Sequence, residues 1–212
     1  MIITKQMKEW SGKLGENYTN RCFRTPEEDN ELTRKQHGIS RMELNEEFLG
    51  DLDRNCKILE VGCNIGNKLD MLQKMGFTNL NGVELQEFAI EKGKSLRSNI
   101  SFTQGSIFDI PFPDNSFDLI YTSTLLIHIS PQELAKAMQE IYRCTKKYIW
   151  GFEFFNDELI EIDYRGDAEM MWKGDYANQY IKVCPNLKIV KEKRIPYLED
   201  NNVNCMFLLA KE

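Results

Sequence analysis

The chain has 212 residues, of which 42% are hydrophobic and 28% charged, and its formal net charge at pH 7 is −6. This composition is typical of a globular protein with one buried core. Proteins that grip nucleic acid usually present a basic face, so the acidic balance argues against a nucleic-acid partner. The chain has no run of 18 or more apolar residues and no apolar stretch of signal-peptide length near its start. We therefore expect no membrane partner and a cytoplasmic location.

The six cysteines and two histidines are scattered along the chain, and no Cys-x-x-Cys pair is present. This spacing supports neither a zinc site nor a disulfide framework. We therefore predict no metal site and expect the cysteines to be small, reduced residues that pack well.

Residues 1–50 are predicted to form a helical lid segment ahead of the main sheet. Thr25 is a candidate N-cap, Pro26 occupies the first helical position, and Glu28 completes a capping-box pattern. Gly38 is a candidate break in this helical region. Residues 51–212 are predicted to form the core of the protein as a single domain.

From residue 57 onward, strand patterns alternate with helix patterns. The candidate strands are KILEV, NLNGVEL, NISFTQG, SFDLIYTST and KYIWGFEFF, followed by LKIVKEKRI and NCMFLLAKE. A further helix is predicted in DAEMMWKGDYANQYI, residues 167–181. Such alternation predicts an α/β fold with a Rossmann-like, doubly wound, mostly parallel sheet. Ligands of these sheets bind beyond the carboxyl ends of the strands, at the point where the strand order reverses.

A glycine turn, from Gly62 to Gly66, follows the first strand. Its G-x-x-x-G spacing lacks the middle glycine that lets the pyrophosphate of a dinucleotide approach the backbone. S-adenosylmethionine has no pyrophosphate and does not need that approach. Cys63 and Asn64 lie within the turn, and Glu60 beside it suits the ammonium of a methionine tail. These five residues form the first part of a predicted cofactor site.

Other candidate cofactor residues follow the second and third strands. Glu84 lies roughly 20 residues beyond the turn, where an acid can bind ribose hydroxyls, and Leu85 could pack on an adenine. The stretch GSIFDIPFPDNSFDLIY comes next. Together with the glycine turn and Glu84, this stretch resembles the class I S-adenosylmethionine-dependent methyltransferases over about residues 57–143.

The resemblance implies that the cofactor is S-adenosylmethionine, with S-adenosylhomocysteine as its product. It also implies a seven-stranded sheet with an antiparallel last strand, and a cofactor site that includes Ser106, Ile107 and Thr122. The family usually has an aspartate where this chain has Ser106. We therefore expect weaker selectivity for adenine, with binding retained.

His128 is the candidate catalytic base. It follows the fourth strand and precedes the helix that Pro131 begins, so it lies on the ligand edge of the sheet. The ordinary pKa of histidine is near neutrality, and related small-molecule methyltransferases often have His at this position. The alternative is a histidine that only packs under the loop. The strand lacks the N-P-P-Y or D-P-P-Y ending of methyltransferases that act on nucleic-acid bases.

Two flanking segments resemble the methyltransferases associated with pseudaminic acid biosynthesis. One contains Trp10, Tyr18 and Arg21, and the other contains Tyr164 and Arg165. The C-terminus departs from that family, because NVNCMFLLAKE has no tryptophan. Arginine can pair with a carboxylate or phosphate, and aromatic rings can stack on a sugar. These five residues are the predicted acceptor site, and the alternative is that the aromatic side chains only pack the N-terminal helices onto the sheet.

The sequence thus predicts an enzyme that methylates an amino or hydroxyl group of a small polar acceptor, a sugar or nucleotide-linked sugar. Two alternatives remain: methyl transfer to a non-sugar metabolite, and a non-catalytic cofactor-binding partner in a biosynthetic complex. A third, a nicotinamide-dependent oxidoreductase, predicts NAD binding. The sequence gives no indication of the oligomeric state.

Overall fold

A computed structural model describes residues 4–212. The chain divides into two compact units, Met1–Pro111 and Phe112–Glu212. The division into a lid over residues 1–50 and a core over residues 51–212 stays a prediction, and residues 1–3 of that lid lie outside the described residues.

The first unit begins with helices and continues as alternating strands and helices. Its helices are α1 (Lys5–Ser11), α2 (Lys13–Arg21), α3 (Pro26–His37), α4 (Arg41–Leu49), α5 (Asn67–Lys74) and α6 (Glu87–Leu96). Its strands are β1 (Lys57–Val61), β2 (Asn79–Glu84) and β3 (Ile100–Gln104). The predicted alternation from residue 57 onward is therefore confirmed in this unit.

The predicted start and end of the helix at Pro26 are confirmed. The hydroxyl of Thr25 accepts a hydrogen bond from the backbone N–H of Glu28, whose carboxylate accepts one from the N–H of Thr25. This reciprocal pair satisfies two N–H groups that a helix start leaves without partners. Gly38 ends the helix in the left-handed conformation, with φ of 75°, a conformation that favours glycine.

The second unit contains the remaining elements. Its strands are β4 (Phe117–Ser123), β5 (Thr145–Phe154), β6 (Ile160–Glu161), β7 (Trp172–Lys173), β8 (Leu187–Pro196) and β9 (Val203–Lys211). Its helices are α7 (Pro131–Cys144) and α8 (Tyr176–Val183), and a 3₁₀ turn spans Leu126–His128. We call this last element the His128 turn.

Seven strands form one sheet in the order β3-β2-β1-β4-β5-β9-β8, and β6 pairs with β7 separately. Strands β1, β2 and β3 are parallel to one another, and β4 is parallel to β5. Strand β9 is antiparallel to both of its neighbours. The predicted fold class, a mostly parallel Rossmann-like sheet with an antiparallel last strand, is confirmed.

Hydrophobic patterning accounts for the packing of α7. Its buried side chains include Leu134, Ala137, Met138 and Ile141, which repeat at the i, i+3, i+4, i+7 spacing of one helix face. Each exposes 4% of its surface or less, so this face is part of the core of the second unit. No helix within residues 4–212 is long and apolar enough to cross a membrane, and the cytoplasmic location stays a prediction.

The helix predicted over residues 167–181 is wrong in its first half. Trp172 and Lys173 instead form β7, antiparallel to β6, and α8 begins only at Tyr176. Asp175 caps α8 through a side-chain hydrogen bond from the N–H of Asn178. Gly174 lies directly before this cap, and glycine is unfavourable inside a helix. The Gly-Asp pair therefore marked the true helix start.

Candidate functional site

The glycine turn has the backbone geometry that its residues favour. Gly62 and Gly66 have φ of 71° and 77°, in the left-handed region where glycine has no steric penalty. A Cβ atom at Gly66 would lie 2.9 Å from the ring of Phe102, so any side chain there would also be crowded. The N–H groups of Gly62 and Cys63 both donate to the carbonyl of Val83, at 2.8 and 3.1 Å. The turn is therefore tied to the carboxyl end of β2.

Glu84, the predicted ribose acid, binds the turn as well. Its Oε2 accepts the N–H of Asn64 at 2.8 Å, and its Oε1 accepts the N–H groups of Leu85 and Gln86 at 2.8 and 3.0 Å. Burial raises the pKa of Glu84, and the three N–H donors lower it in part. Backbone hydrogen bonds thus fix the position of this carboxylate on both of its oxygens.

The donors and acceptors at this turn fit the proposed cofactor. A carboxylate offers about four acceptor positions, and three N–H groups occupy only three positions on Glu84. The amide oxygen Oδ1 of Asn64 is buried and has no hydrogen-bond partner within residues 4–212. A ligand with hydroxyl and ammonium donors matches both acceptors, and S-adenosylmethionine carries both kinds of donor.

Sequence reasoning missed a chain of side-chain hydrogen bonds between the turn and the N-terminal helices. Asn64 Nδ2 donates to the hydroxyl of Thr19 at 2.7 Å, and that hydroxyl donates to Oε1 of Gln86 at 3.2 Å. Gln86 Nε2 in turn donates to the backbone carbonyls of Trp10 and Gly12, at 3.4 and 3.2 Å. Thr19 is fully buried and Gln86 is 5% exposed. These bonds link α1 and α2 to the cofactor turn.

Gly15 makes this close approach possible. A Cβ atom there would overlap the carbonyl oxygen of Trp10 and lie 2.7 Å from Nε2 of Gln86. The sequence signal was the Gly-x-x-Gly spacing of Gly12 and Gly15, within the segment that contains Trp10 and Tyr18.

Three of the predicted acceptor residues contact one another in the first unit. The rings of Trp10 and Tyr18 meet edge to face with centroids 5.3 Å apart, and the guanidinium of Arg21 lies 5.5 Å from the ring centroid of Tyr18. Arg21 is exposed, whereas the two aromatic side chains are half-buried. Their role toward an acceptor stays a prediction.

Glu60 is 3% exposed at the end of β1, next to other buried charges. Burial, first of all, lowers the pKa of Lys68, and the ion pair with Asp29 and the negative charge of Glu60 oppose this shift. The negative charge of Glu60 therefore already interacts with a positive charge of the protein, that of Lys68. Its role toward the cofactor ammonium stays a prediction.

Cys63 turns its side chain into the protein. A Cβ atom at Gly82 of β2 would overlap the sulfur of Cys63, so the thiol packs directly on the backbone of that strand. Burial, first of all, raises the pKa of Cys63 well above its ordinary value. Any contact of Cys63 with a cofactor would therefore involve its backbone.

The predicted adenine residues lie after β3. Ser106 and Ile107 are 8% and 7% exposed, and the Ser106 hydroxyl accepts the N–H of Phe108 at 3.2 Å. The sulfur of Met7, from α1, lies 4.0 Å from the same hydroxyl. Leu85 is half-buried at the end of β2. The role of these residues toward adenine stays a prediction.

In the second unit, the His128 turn brings two predicted residues together. The ring of His128 meets the ring of Tyr164 edge to face, with centroids 5.0 Å apart. Nδ1 of His128 lies 2.8 Å from the carbonyl oxygen of Met170. Because a carbonyl only accepts, Nδ1 carries the proton and Nε2 is the basic nitrogen. Burial lowers the pKa of His128 to about 4, so the ring is neutral at pH 7.

Arg165 lies at the exposed tip of a tight turn. Tyr164 and Asp167 exchange two backbone hydrogen bonds, of 3.2 and 3.1 Å. Arg165 and Gly166 between them have φ of 59° and 90°, as in a type I′ turn. The exposed Arg165 side chain thus stands on a strained backbone, one residue after Tyr164.

Thr122 is buried at the end of β4 and its hydroxyl hydrogen-bonds with Glu153 of β5. Sequence reasoning missed Glu153, although it is a lone carboxylate within an otherwise apolar strand pattern. The carboxylate is completely buried. Among residues 4–212, no group of three or more His, Cys, Asp or Glu side chains could hold a metal ion.

The fold and the site define a class of protein. A doubly wound sheet with a glycine turn after β1, and an acid at the end of β2 that binds this turn, has the architecture of class I methyltransferases. Residues 58–148 of the chain match the family model described as a methyltransferase domain.

Similar proteins agree with this class. The chain is 28% identical over 149 residues to a sterol 24-C-methyltransferase of Gibberella zeae, covering 64% of this chain and 38% of that protein. It is 29% identical over 174 residues to the 24-methylenesterol C-methyltransferase 2 of Arabidopsis thaliana, covering 71% and 47%. The chain therefore spans less than half the length of these curated relatives.

Solved structures share the fold at low sequence identity. Magnesium protoporphyrin IX methyltransferase of Synechocystis, solved with bound S-adenosylhomocysteine, covers 97% of this chain and 98% of its own at a TM-score of 0.70 and 11% identity. A methyltransferase of Methanosarcina mazei covers 76% and 95%, with a TM-score of 0.63 and 16% identity. The predicted class, an S-adenosylmethionine-dependent methyltransferase domain with that cofactor, is confirmed. The sugar acceptor and the pseudaminic acid resemblance stay predictions.

Proposed function

We propose that this protein transfers a methyl group from S-adenosylmethionine to a small-molecule acceptor. The observation that carries this function is Glu84, whose carboxylate is fixed by the N–H groups of Asn64, Leu85 and Gln86. A carboxylate held in this way binds ribose hydroxyls without rearranging, because its own donors already fix its orientation. The match to the methyltransferase domain over residues 58–148 supports the same function.

The residues of the first unit would hold the cofactor. Glu84 would accept the ribose hydroxyls, and Asn64 Oδ1 would accept a further donor of the same ligand. Glu60 and the turn from Gly62 to Gly66 would bind the methionine tail. When bound, S-adenosylmethionine supplies a methyl group on a sulfonium, which is already a good leaving group. The protein's contribution is then mainly to position donor and acceptor and to exclude water.

His128 would contact the acceptor through Nε2. Its Nδ1–H donates to Met170, which fixes the ring orientation. Because burial lowers the pKa of His128 to about 4, the neutral ring accepts a hydrogen bond at every pH above about 5 but is a weak base. We therefore assign His128 the role of orienting the acceptor's N–H or O–H toward the methyl group, and only a modest role in removing its proton.

The acceptor that we propose is an amino or hydroxyl group of a sugar or nucleotide-linked sugar. The support is chemical: Arg21 and Arg165 are exposed cations. The guanidinium of Arg21 lies 5.5 Å from the ring centroid of Tyr18, and Arg165 follows Tyr164 in sequence. Cations next to aromatic faces suit an anionic, ring-shaped ligand. The resemblance of the flanking segments to methyltransferases of pseudaminic acid biosynthesis favours the same acceptor.

A second candidate acceptor is an apolar one of the sterol type. The specific observation in its favour is the 28% and 29% identity to two sterol methyltransferases. Those relatives are more than twice as long as the part that matches, so the acceptor-binding portions need not correspond.

Two measurements test the function. Calorimetry should detect S-adenosylhomocysteine binding and no NAD binding. Binding of NAD without binding of S-adenosylhomocysteine would instead favour a nicotinamide-dependent oxidoreductase. Mass spectrometry should then detect a gain of one methyl group in one member of an acceptor panel that contains nucleotide-linked amino sugars, free sugars, amino acids and sterols. Binding without methylation of any panel member would favour a non-catalytic cofactor-binding partner. Methylation of a sterol alone would replace the sugar by the second candidate.

A further inference from the structure

Glu153 is a buried carboxylate for which the proposed cofactor and acceptor residues have no use. It is the last residue but one of β5 and exposes none of its surface. Its register partner across the sheet is Cys205 of β9. Carboxylates are seldom fully buried without a compensating role, because burial removes their hydration.

The donors of Glu153 come from the segment that carries His128. Oε1 accepts the N–H of Leu125 at 3.2 Å, and the backbone N–H groups of Leu126 and Ile127 also lower the pKa of the carboxyl group. The first N–H groups of a helical turn have no partners within the turn. Glu153 supplies the acceptor for the Leu125 N–H, directly before the turn that carries His128.

The two oxygens of Glu153 differ. Oε2 is buried and lacks any hydrogen-bond partner in the described part of the chain, and the same holds for the hydroxyl of Tyr180 on α8. Burial raises the pKa of Glu153 to about 7, although its hydrogen-bond donors lower it in part. When the carboxyl group of Glu153 is protonated, the proton is therefore on Oε2. Oε1 then accepts a hydrogen bond from the backbone in both protonation states of Glu153.

We propose that Glu153 is a positioning residue, which fixes the His128 turn through Oε1 and thereby orients the ring of His128 toward the acceptor. This role rests on the proposed function, because it assumes that His128 contacts the acceptor. The hydroxyl of Thr122 on β4 hydrogen-bonds with the same carboxyl group. The carboxyl group that holds the His128 turn is thus itself held by a residue of the neighbouring strand.

The groups around Glu153 do not titrate near neutrality. On α8, burial raises the pKa of Tyr176 and of Tyr180 above the ordinary value, and the charge of Glu153 adds to this rise. On β9, burial raises the pKa of Cys205 to about 12, and Arg194 of β8 donates to its sulfur at 2.7 Å. With His128 neutral above about pH 5, a transition near pH 7 in this region reports Glu153.

Titration of backbone amides by NMR tests the anchor without any need for turnover. In the wild-type protein, the ¹⁵N–¹H shifts of Leu125, Leu126 and Ile127 should titrate between pH 5 and 9 with a midpoint near 7. In Glu153→Gln this transition should vanish, whereas in the control Glu158→Gln, an exposed residue of the same unit, it should persist. Amide shifts that are the same in Glu153→Gln as in the wild-type protein at every pH would overturn the anchor.

Turnover tests the positioning role. Glu153→Leu removes the acceptor and should lower kcat about ten- to hundredfold, since small misplacements near the reacting groups have effects of this size, while the KM for S-adenosylmethionine changes less than about twofold. Glu153→Gln keeps an amide oxygen at Oε1 and should retain most of the wild-type kcat. In a His128→Ala background, Glu153→Leu should produce little further loss.

A wild-type kcat in Glu153→Leu, or a loss that adds in full to that of His128→Ala, would overturn the positioning role. If Glu153→Leu does not fold, the comparison of amide titrations between the wild-type protein and Glu153→Gln decides whether Glu153 anchors the turn. Where no acceptor is ever methylated, the proposed function fails, and the amide titration still decides whether Glu153 anchors the turn.

Discussion

Each unit of the molecule contains a carboxylate near the end of a strand that accepts backbone N–H groups, and the hydrogen bonds of half-buried Glu84 differ from those of fully buried Glu153. On Glu84, at the end of β2, N–H groups donate to both oxygens. On Glu153, near the end of β5, one oxygen has no hydrogen-bond partner anywhere in residues 4–212. Burial raises the pKa of both, and that of Glu153 to about 7.

Donor placement separates the roles that the two carboxylates suit. With donors on both oxygens, Glu84 has a fixed orientation and suits a ligand that brings hydroxyl groups. With donors on one oxygen, Glu153 holds a proton near neutrality and suits the anchoring of a neighbouring turn.

The pH dependence of stability should separate the titrating groups of the second unit. The pKa of Glu153 is raised from 4.5 to about 7, so its stabilising contribution is complete below pH 4.5 and is lost as the pH rises through 7. The pKa of His128 is lowered from 6.5 to about 4, so its contribution is complete above pH 6.5 and is lost as the pH falls through 4. Each amounts to about 3 kcal/mol, and the two oppose each other.

Urea unfolding between pH 4 and 8 measures these contributions. Relative to wild type, Glu153→Gln should gain about 3 kcal/mol in the free energy of unfolding as the pH rises from 4.5 to 7, and His128→Asn should lose about as much over a similar range. Parallel pH profiles for wild type and Glu153→Gln would mean that Glu153 has an ordinary pKa in the folded protein.

Glu84→Ala should weaken the binding of S-adenosylhomocysteine about a hundredfold, since it removes a charge-assisted acceptor and leaves the Asn64 N–H without its partner. Isothermal titration calorimetry measures the change. Glu87→Ala, at an exposed position in the first turn of α6, is the matched control and should bind like wild type. Equal dissociation constants for Glu84→Ala and the control would remove Glu84 from the cofactor site.

Thr19→Val should lower the free energy of unfolding by about 2 kcal/mol, because it leaves Asn64 Nδ2 and Gln86 Oε1 buried without their partner. Hydrogen exchange of the α1 and α2 amides should also accelerate. Thr19→Ser retains the hydroxyl and should behave nearly as wild type. If Thr19→Ser loses stability and Thr19→Val does not, packing of the methyl group and not the hydrogen-bond chain holds these helices.

His128→Ala should lower kcat about tenfold, the modest effect expected of a group with a pKa far below the working pH, with the affinity for S-adenosylhomocysteine unchanged. The pH profile of kcat in wild type should show no transition from His128 between pH 6 and 8. A loss of a thousandfold or more would show that His128 removes the acceptor proton directly.

Much of the fold followed from local patterns. The Thr25 capping box, the glycine turn and the alternating strands all depend on residues close in sequence, and the structure confirms them. The helix predicted over residues 167–181 failed because aromatic and apolar spacing alone does not separate a helix from a short β-ribbon, whereas Gly174 before the Asp175 cap did mark the break.

The site was less predictable than the fold, because its polar contacts join distant residues. Thr19 and Gln86 are 67 positions apart, and no local pattern announces their hydrogen bond. Glu153 was overlooked because a strand pattern was assigned from its apolar neighbours, although the exception within the pattern was the informative residue. A single acidic residue within an apolar strand pattern indicates a carboxylate that accepts hydrogen bonds from backbone N–H groups nearby.

The packing of Cys63 against Gly82 has a practical consequence for labelling. The sulfur is enclosed by the backbone of β2 and its pKa is raised, so alkylating reagents will not reach the thiolate of the cofactor turn in the folded protein. Cys22, which follows α2, is partly exposed. A fluorophore attached there would report movement of the N-terminal helices while leaving the chemistry of the cofactor turn intact.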